Sequence, residues 1–249
     1  MKILFFGLVA VMFFGLRAGA ENRELFAFQN GMPKLSYEDE ARFLKEAGYA
    51  GISQVHAGGG GAKLTERVAA YEKAGVKVLS IYLPATKKPV SEDVVKGLAN
   101  GGGMIELTVK RIGEEIVASI RKTAAMAERL KIKVALYPHA GFAVATMPQA
   151  MALIKKVGHP NLGVMFNLCH FLKSEKAEDL EGVLEKAGDR LFAVSTCGAD
   201  TDGRNWGQLI QTLDQGSFPQ ERLFKQLKKM GFEGPVALQC YAIKGDQKV

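Results

Sequence analysis

Four apolar runs in the second half of the chain each end in polar residues, and this pattern constrains the fold most strongly. The runs cover residues 133–136, 162–166, 191–194 and 236–238. The residues that follow them directly are Tyr137, Asn167, Ser195 and Gln239. Buried parallel strands are typically near-continuous apolar runs, and their carboxyl ends meet at one edge of the sheet. The sequence therefore predicts that these four polar side chains converge.

The alternation of such runs with helical segments predicts a closed barrel. From Glu24 onward, short apolar or β-branched runs alternate with stretches of helical period, as expected for repeated strand and helix units. Eight strands are expected, at residues 25–29, 51–55, 77–83, 104–109, 133–137, 162–167, 191–196 and 235–239. Helices are expected to end at Gly48, Gly75 and Gly231. We predict an α/β protein with a (β/α)8 TIM barrel, whose functional rim is formed by the strand carboxyl ends.

The amino terminus has the features of an export signal. Lys2 precedes the apolar stretch 3–16, and Ala18 to Ala20 form a small-x-small cleavage motif. This stretch is shorter than the roughly 20 residues that span a bilayer, which disfavours a membrane anchor. We predict a signal peptide over residues 1–20 and a single domain over 21–249. The mature protein is expected to be exported, to the periplasm or outside the cell.

The charged residues and cysteines indicate an ordinary globular protein. The 33 basic residues, less Lys2 and Arg17, leave 31 against 26 acidic residues, a net charge of +5. The charges are interleaved along helical segments, which is typical of solvated helix faces, so we expect no nucleic-acid partner and no stable membrane association. The oligomeric state is not predicted. Cys169 and Cys197 follow neighbouring strands, so the two alternatives are a disulfide between them or two buried free thiols.

The family resemblance depends on segments that follow the late strands. Residues 137–142, 166–170 and 193–200, together with the order of elements over nearly the whole mature chain, resemble the sugar phosphate isomerase/epimerase family with a xylose-isomerase-like TIM barrel. That resemblance implies a divalent metal held by a Glu, an Asp, a His and a Glu on strands five to eight, with a second His three residues after the Asp. The corresponding residues of this chain are Tyr137, Asn167, Ser195, Gln239 and His170.

All four strand positions depart from the pattern that the resemblance implies. Asn167 and Gln239 keep the shape of a carboxylate but carry no charge and take no proton near neutral pH. Ser195 is not a normal ligand of zinc or manganese. We therefore expect no cofactor and no standard metal site. A divalent metal would fit only a rearranged site made by His139, His170 and Asn167.

Three histidines and one glutamate are the candidate catalytic residues. His56, His139 and His170 each follow a predicted strand, and histidine is suited to proton transfer near neutral pH. Glu106 is a carboxylate within the fourth predicted strand, and an unpaired buried carboxylate is costly, so a partner is expected, with Lys110 and Arg111 as the candidates for a buried pair. For each of these residues, a structural hydrogen-bonding role is the alternative.

The long insertion after the seventh strand supplies further candidates. Asp200, Arg204 and Trp206 are of the types that sugar sites use, since charged groups bind hydroxyls and an indole stacks on the C–H face of a ring. A solvated loop with one tryptophan packed on the barrel explains the same segment. We expect Asp200, Arg204 and Trp206 to bind substrate together with Tyr137, Asn167, Ser195 and Gln239.

Two functional hypotheses follow. The first is a sugar isomerase or epimerase-like protein that binds a small-molecule carbohydrate at the carboxyl-terminal rim and moves a proton without the usual divalent metal. The second is a non-catalytic exported carbohydrate-binding or scaffold protein. A barrel endonuclease acting on damaged DNA is disfavoured by the export signal and by the shortage of acidic and histidine metal ligands.

Overall fold

The structure is a computed structural model that describes residues 23–56 and 60–243. The predicted signal peptide, residues 1–20, lies outside the described residues. No helix in these two ranges combines the length and apolar character needed to cross a membrane.

All strands of the described chain belong to one parallel sheet. They are β1 (Leu25–Phe28), β2 (Gly51–Ser53), β3 (Val55–His56), β4 (Lys77–Val78), β5 (Ser80–Pro84), β6 (Met104–Thr108), β7 (Lys133–Leu136), β8 (Leu162–Asn167), β9 (Leu191–Thr196) and β10 (Val236–Leu238). Their order is β3-β5-β6-β7-β8-β9-β10-β1-β2-β4. β2 and β3 are two parts of one barrel strand, and β4 and β5 are two parts of the next. Because β2 pairs with β4 and β3 pairs with β5, the two ends of this order meet and the barrel is closed. The predicted (β/α)8 TIM barrel is confirmed.

Two of the eight predicted strands are interrupted, which corrects the continuous strands predicted at residues 51–55 and 77–83. The second barrel strand breaks between β2 and β3 at Gln54, whose φ is 56°. This left-handed conformation is uncommon for a residue other than glycine. The Gln54 N–H donates to Ser80 Oγ at 2.8 Å instead of to a strand carbonyl. The third barrel strand breaks at Leu79, whose N–H donates to the Ile52 carbonyl at 2.7 Å.

Helices alternate with the strands and surround the sheet. They are α1 (Tyr37–Glu46), α2 (Gly60–Ala74), α3 (Glu92–Val95), α4 (Glu114–Arg129), α5 (Met147–Val157), α6 (Leu168–Ser174), α7 (Leu180–Ala187), α8 (Trp206–Leu209) and α9 (Gln220–Lys229). Ser36 Oγ caps α1 by accepting from Asp39 N at 3.2 Å. The glycines predicted to end helices, Gly48, Gly75 and Gly231, have φ values of 81°, 78° and 64°. This conformation suits glycine and ends a helix before the next strand.

The apolar core has two parts. The larger part lies between the sheet and the helices and contains side chains such as Ile52, Ile105 and Val164. The smaller part fills the inside of the barrel with Phe26, Phe28, Met104 and Met165. The barrel is therefore a packed core, and a pocket can open only above its upper layer.

Candidate active site

A cavity of about 360 Å³ lies at the carboxyl-terminal end of the barrel. Its lining residues are Asn30, Gln54, His56, Tyr82, Tyr137, His139, His170, Trp206, Ile210, Gln239 and Tyr241. This volume falls in the range of about 300–1,000 Å³ that is usual for small-molecule sites. Larger concave regions elsewhere, such as the one lined by Arg23 and Lys228, contain none of the candidate catalytic residues.

Six of the eleven side chains predicted to form the site line this cavity. They are His56, Tyr137, His139, His170, Trp206 and Gln239. Glu106, Asn167 and Ser195 are buried in the barrel and do not line it. Asp200 and Arg204 also lie outside the lining.

His139 and His170 face each other with ring centroids 4.1 Å apart. The peptide group of Ala140 contacts both rings. Its carbonyl oxygen lies 2.9 Å from His139 Nδ1, and its N–H donates to His170 Nδ1 at 3.3 Å. A carbonyl can only accept and an amide N–H can only donate. The neutral His139 therefore carries its proton on Nδ1 and the neutral His170 carries its proton on Nε2.

The surroundings keep both imidazoles neutral at physiological pH. Burial is the main reason why the pKa of His170 is lowered to about 3, and the neighbouring His139 contributes to this shift. Burial is also the main reason why the pKa of His139 is lowered, with the Lys110 ammonium adding to the effect. Two neutral rings of opposite tautomer leave one unprotonated Nε2, on His139, and one Nε2–H donor, on His170.

Asn167 links the histidine pair to Tyr137 through a chain of hydrogen bonds. Its Oδ1 accepts from the Cys169 thiol at 3.0 Å and from the His170 N–H at 3.5 Å, at the start of α6. Its Nδ2 consequently points the other way and donates to the Tyr137 hydroxyl at 2.5 Å. The Tyr137 ring stands edge-on to His170, with centroids 5.4 Å apart. Cys169 and Cys197 are free thiols.

Glu106 lies beneath the cavity and is fully buried. Its Oε2 accepts from Gln54 Nε2 at 2.5 Å, and Gln54 itself lines the cavity. Burial raises the pKa of Glu106 to about 7, and hydrogen bonds from Ser80 and Gln54 reduce the shift. The carboxyl group is therefore partly protonated near neutral pH. The expected partner of Glu106 is an amide rather than Lys110 or Arg111.

The insertion after β9 contributes its tryptophan to the cavity. Asn205 caps α8, and the Trp206 ring stands edge-on to His170 with centroids 5.2 Å apart. Asp200 instead serves the loop itself, because its Oδ1 accepts from the Ser217 N–H at 3.1 Å. The Arg204 carbonyl accepts from Lys173 Nζ at 2.5 Å. These contacts hold the loop that presents Trp206.

Five lining residues were not among the predicted site residues: Asn30, Gln54, Tyr82, Ile210 and Tyr241. Asn30 and Tyr241 follow β1 and β10, so the rule that identified Tyr137 applies to them as well. Tyr82 lies within β5 and stands edge-on to Tyr137 at 5.2 Å. The sequence feature that marks both Tyr82 and Gln54 is a polar side-chain atom within a predicted apolar strand.

Comparison with known proteins places this architecture in a family. The sequence pattern of the xylose isomerase-like TIM barrel family matches residues 101–247, which is more than half of the chain. The chain belongs to the xylose isomerase-like TIM barrel family. No curated protein matches the sequence.

Solved structures of this xylose isomerase-like fold share it at low sequence identity. D-psicose 3-epimerase from Clostridium cellulolyticum H10 gives a TM-score of 0.70 at 16% identity, covering 89% of this chain and 86% of that one. The 3-keto-D-glucoside 4-epimerase from E. coli gives 0.69 at 17%, covering 90% and 94%. A family 2 AP endonuclease from Brucella melitensis gives 0.69 at 16%, covering 90% and 95%. The fold thus occurs with different activities, and only the site distinguishes them.

The divalent metal implied by the family resemblance does not fit the side chains at the four strand positions. Burial raises the pKa of Tyr137 far above its usual value, so this residue offers no phenolate. The Asn167 carbonyl oxygen already accepts two hydrogen bonds, and Gln239 Oε1 accepts from Tyr241 N at 3.0 Å. Across residues 23–56 and 60–243, no group of three or more His, Cys, Asp or Glu side chains is arranged to hold a metal. Neutral oxygens with existing partners hold a hard divalent cation poorly.

Proposed function

We propose that this protein binds a small carbohydrate in the rim cavity and transfers a proton on it with His139 and His170, without a divalent metal. The observation that carries the proposal is the Ala140 peptide group, which fixes the two neutral histidines in opposite tautomers. One ring then serves as a base and the other as a hydrogen-bond donor. General acid–base catalysis requires this combination at one site.

The proposed reaction is the enolisation of a sugar next to its carbonyl group. His139 Nε2 takes a proton from the carbon beside the carbonyl, and the electron pair of that C–H bond forms the C=C bond of an enediolate. The carbonyl electrons move to oxygen, whose negative charge is stabilised by a hydrogen bond from His170 Nε2–H. A neutral histidine can polarise a carbonyl in this way. Return of the proton from His139 to the neighbouring carbon gives an isomer, and delivery of a proton from solvent to the opposite face of the original carbon gives an epimer.

The rest of the lining suits a carbohydrate. Tyr82, Trp206 and Tyr241 offer aromatic surface, and Asn30 and Gln239 offer amides for hydroxyl groups. Trp206 is 37% exposed and Tyr241 is 54% exposed, so both rings are accessible at the mouth. The names of two structural neighbours, D-psicose 3-epimerase and 3-keto-D-glucoside 4-epimerase, describe sugar epimerisation and support this choice of ligand.

The proposal is tested by hydrogen exchange. Chelator-treated protein is incubated with D-psicose, D-fructose or D-tagatose in D₂O, and NMR measures deuterium incorporation at the carbons beside the carbonyl. We expect incorporation by the wild type and a loss of about 10²-fold or more in both His139→Gln and His170→Gln. An exposed control, Lys88→Gln, should exchange at the wild-type rate. Equal exchange by all four proteins would rule out the histidine pair.

A second candidate function is carbohydrate binding without catalysis. It is favoured by the low pKa of His170 and the lowered pKa of His139, because a weakly basic imidazole is a poor base for a C–H bond. The same experiment separates the two functions. Trp206 is the single tryptophan of the chain and lines the cavity, so its fluorescence reports binding directly. Sugar-dependent fluorescence changes without any deuterium incorporation would identify a binding protein.

A further inference from the structure

The Tyr137 hydroxyl has a fixed hydrogen-bond polarity. Asn167 cannot turn its amide around without placing Nδ2 against the donors Cys169 Sγ–H and His170 N–H. Its Nδ2 therefore donates to the phenolic oxygen, which acts as an acceptor at 2.5 Å. The oxygen of Tyr137 is thus held by a donor on the barrel side.

The hydrogen of the same hydroxyl has no protein acceptor among the residues that the structure describes. Tyr137 is only 2% exposed, yet it lines the cavity, so the cavity is where an acceptor for this hydrogen would lie. A buried hydroxyl normally donates as well as accepts, because leaving a donor unpaired is unfavourable. A ligand oxygen above Tyr137 would complete its hydrogen bonding.

Burial keeps the proton on Tyr137. The pKa of this phenol is far above its usual value, mainly because the ionised form would be desolvated. Tyr137 is therefore a donor and not a base. The hydrogen bond from the Asn167 amide to the phenolic oxygen polarises the O–H bond and strengthens its donation to a further acceptor.

We infer that Tyr137 donates a hydrogen bond to the carbonyl oxygen of the bound sugar and, together with His170 Nε2–H, stabilises the negative charge that develops there. The inference rests on the proposed function. The Tyr137 and His170 rings stand edge-on with centroids 5.4 Å apart, and both residues line the same cavity. In this arrangement the Tyr137 phenol and the His170 imidazole polarise the sugar carbonyl by donating hydrogen bonds to its oxygen. Tyr137 occupies a strand position where the family resemblance implies a metal ligand. No proton leaves Tyr137; it remains a hydrogen-bond donor throughout.

Two matched variants test the inference through the deuterium-exchange assay in chelator-treated protein. Tyr137→Phe keeps the ring and removes the donor. Asn167→Asp keeps the phenol but replaces a donating amide by an accepting carboxylate, so the hydroxyl hydrogen turns toward residue 167 and away from the sugar. Removing one such donor costs about 10²–10³ in turnover. We expect a loss of this size in both variants, with sugar affinity from Trp206 fluorescence within about threefold of the wild type.

The possible outcomes separate this inference from the proposed function. If the wild type exchanges and Tyr137→Phe exchanges at the same rate, Tyr137 is not a donor in the reaction, whereas the histidine mechanism stands. Full exchange in Asn167→Asp would contradict the assigned polarity. If both variants lose affinity and exchange in parallel, Tyr137 supports only the shape of the pocket, and the inference is overturned. If the wild type binds sugar but does not exchange, the proposed reaction fails and this inference fails with it.

Discussion

The buried carboxyl group of Glu106 makes the stability of the protein depend on pH in a way that one substitution should abolish. Its pKa of about 7 in the folded protein exceeds the ordinary value of 4.5. A folded-state pKa that is raised adds stability below the unfolded pKa, and this stability is lost as the pH rises through the folded pKa. The relevant window is therefore from about pH 4.5 to about pH 7.

The expected magnitude follows from these two values. Between about pH 5 and about pH 8.5, ionisation of Glu106 should cost the folded state about 2.5 kcal/mol, at about 1.4 kcal/mol for each pKa unit. Glu106→Gln removes the titration and retains an oxygen that can accept the hydrogen bond from Gln54 Nε2. The substitution should therefore make the protein more stable relative to wild type at the higher pH than at the lower.

Urea unfolding of both proteins at the two pH values measures this difference. Because the wild type and the variant are compared at the same pH, the contribution of other titrating groups, including His170, cancels. Glu66→Gln, at an exposed position on α2, is the control and should change the unfolding free energy equally at both pH values. A wild type and a Glu106→Gln variant with the same pH dependence would refute the buried ionisation.

Three further predictions concern the cavity and the amino terminus. Folded His170 has a pKa of about 3, so below about pH 6.5 this residue gains a proton in the unfolded chain but not in the folded protein. In urea unfolding, lowering the pH from about 7 to about 5 should therefore destabilise the wild type by about 2 kcal/mol more than the His170→Gln variant. In Trp206 fluorescence titrations, D-fructose 6-phosphate should bind at least about tenfold more weakly than D-fructose, because no lysine or arginine is among the described residues that line the cavity. Tighter binding of the phosphate would contradict this prediction. Mass spectrometry of the exported protein should give a chain that begins at Glu21, and an intact residue 1–20 segment would show that the signal is not cleaved.

The sequence predicted the fold well because its strands are buried on both faces. Fully apolar runs such as 162–166 leave little choice of environment, and Gly48, Gly75 and Gly231 mark helix ends through a conformation that glycine adopts easily. The breaks at Gln54 and Leu79 were not predictable. They depend on the contacts of Gln54 with Ser80 and Glu106, which are far away in sequence and meet only in the folded barrel.

The positions of candidate site residues were partly predictable, but their hydrogen-bond roles were not. The rule that polar residues follow apolar strands selects Tyr137, His139 and His170, which line the cavity. It also selects Asn167 and Ser195, which lie in register on neighbouring strands but below the cavity surface. Which tautomer each histidine adopts depends on Ala140, a residue whose type carries no signal because only its peptide group is used.

Ser195 shows a further limit of sequence reasoning. Its hydroxyl was expected to bind substrate, but Oγ is fully buried and has no hydrogen-bond partner in the described part of the chain. The side chain faces the same way as Asn167, with which it is paired across β8 and β9. Alternation along a strand predicts this facing, but it does not predict how deep the residue lies below the cavity.

The central claim is that one peptide group holds two neutral histidines in opposite tautomers. Long-range ¹H–¹⁵N correlation NMR of the imidazole rings at neutral pH tests it directly, and the chain has only four histidines to assign. We expect His139 to be protonated on Nδ1 alone and His170 on Nε2 alone. A charged ring in either residue, or the same tautomer in both, would contradict the account.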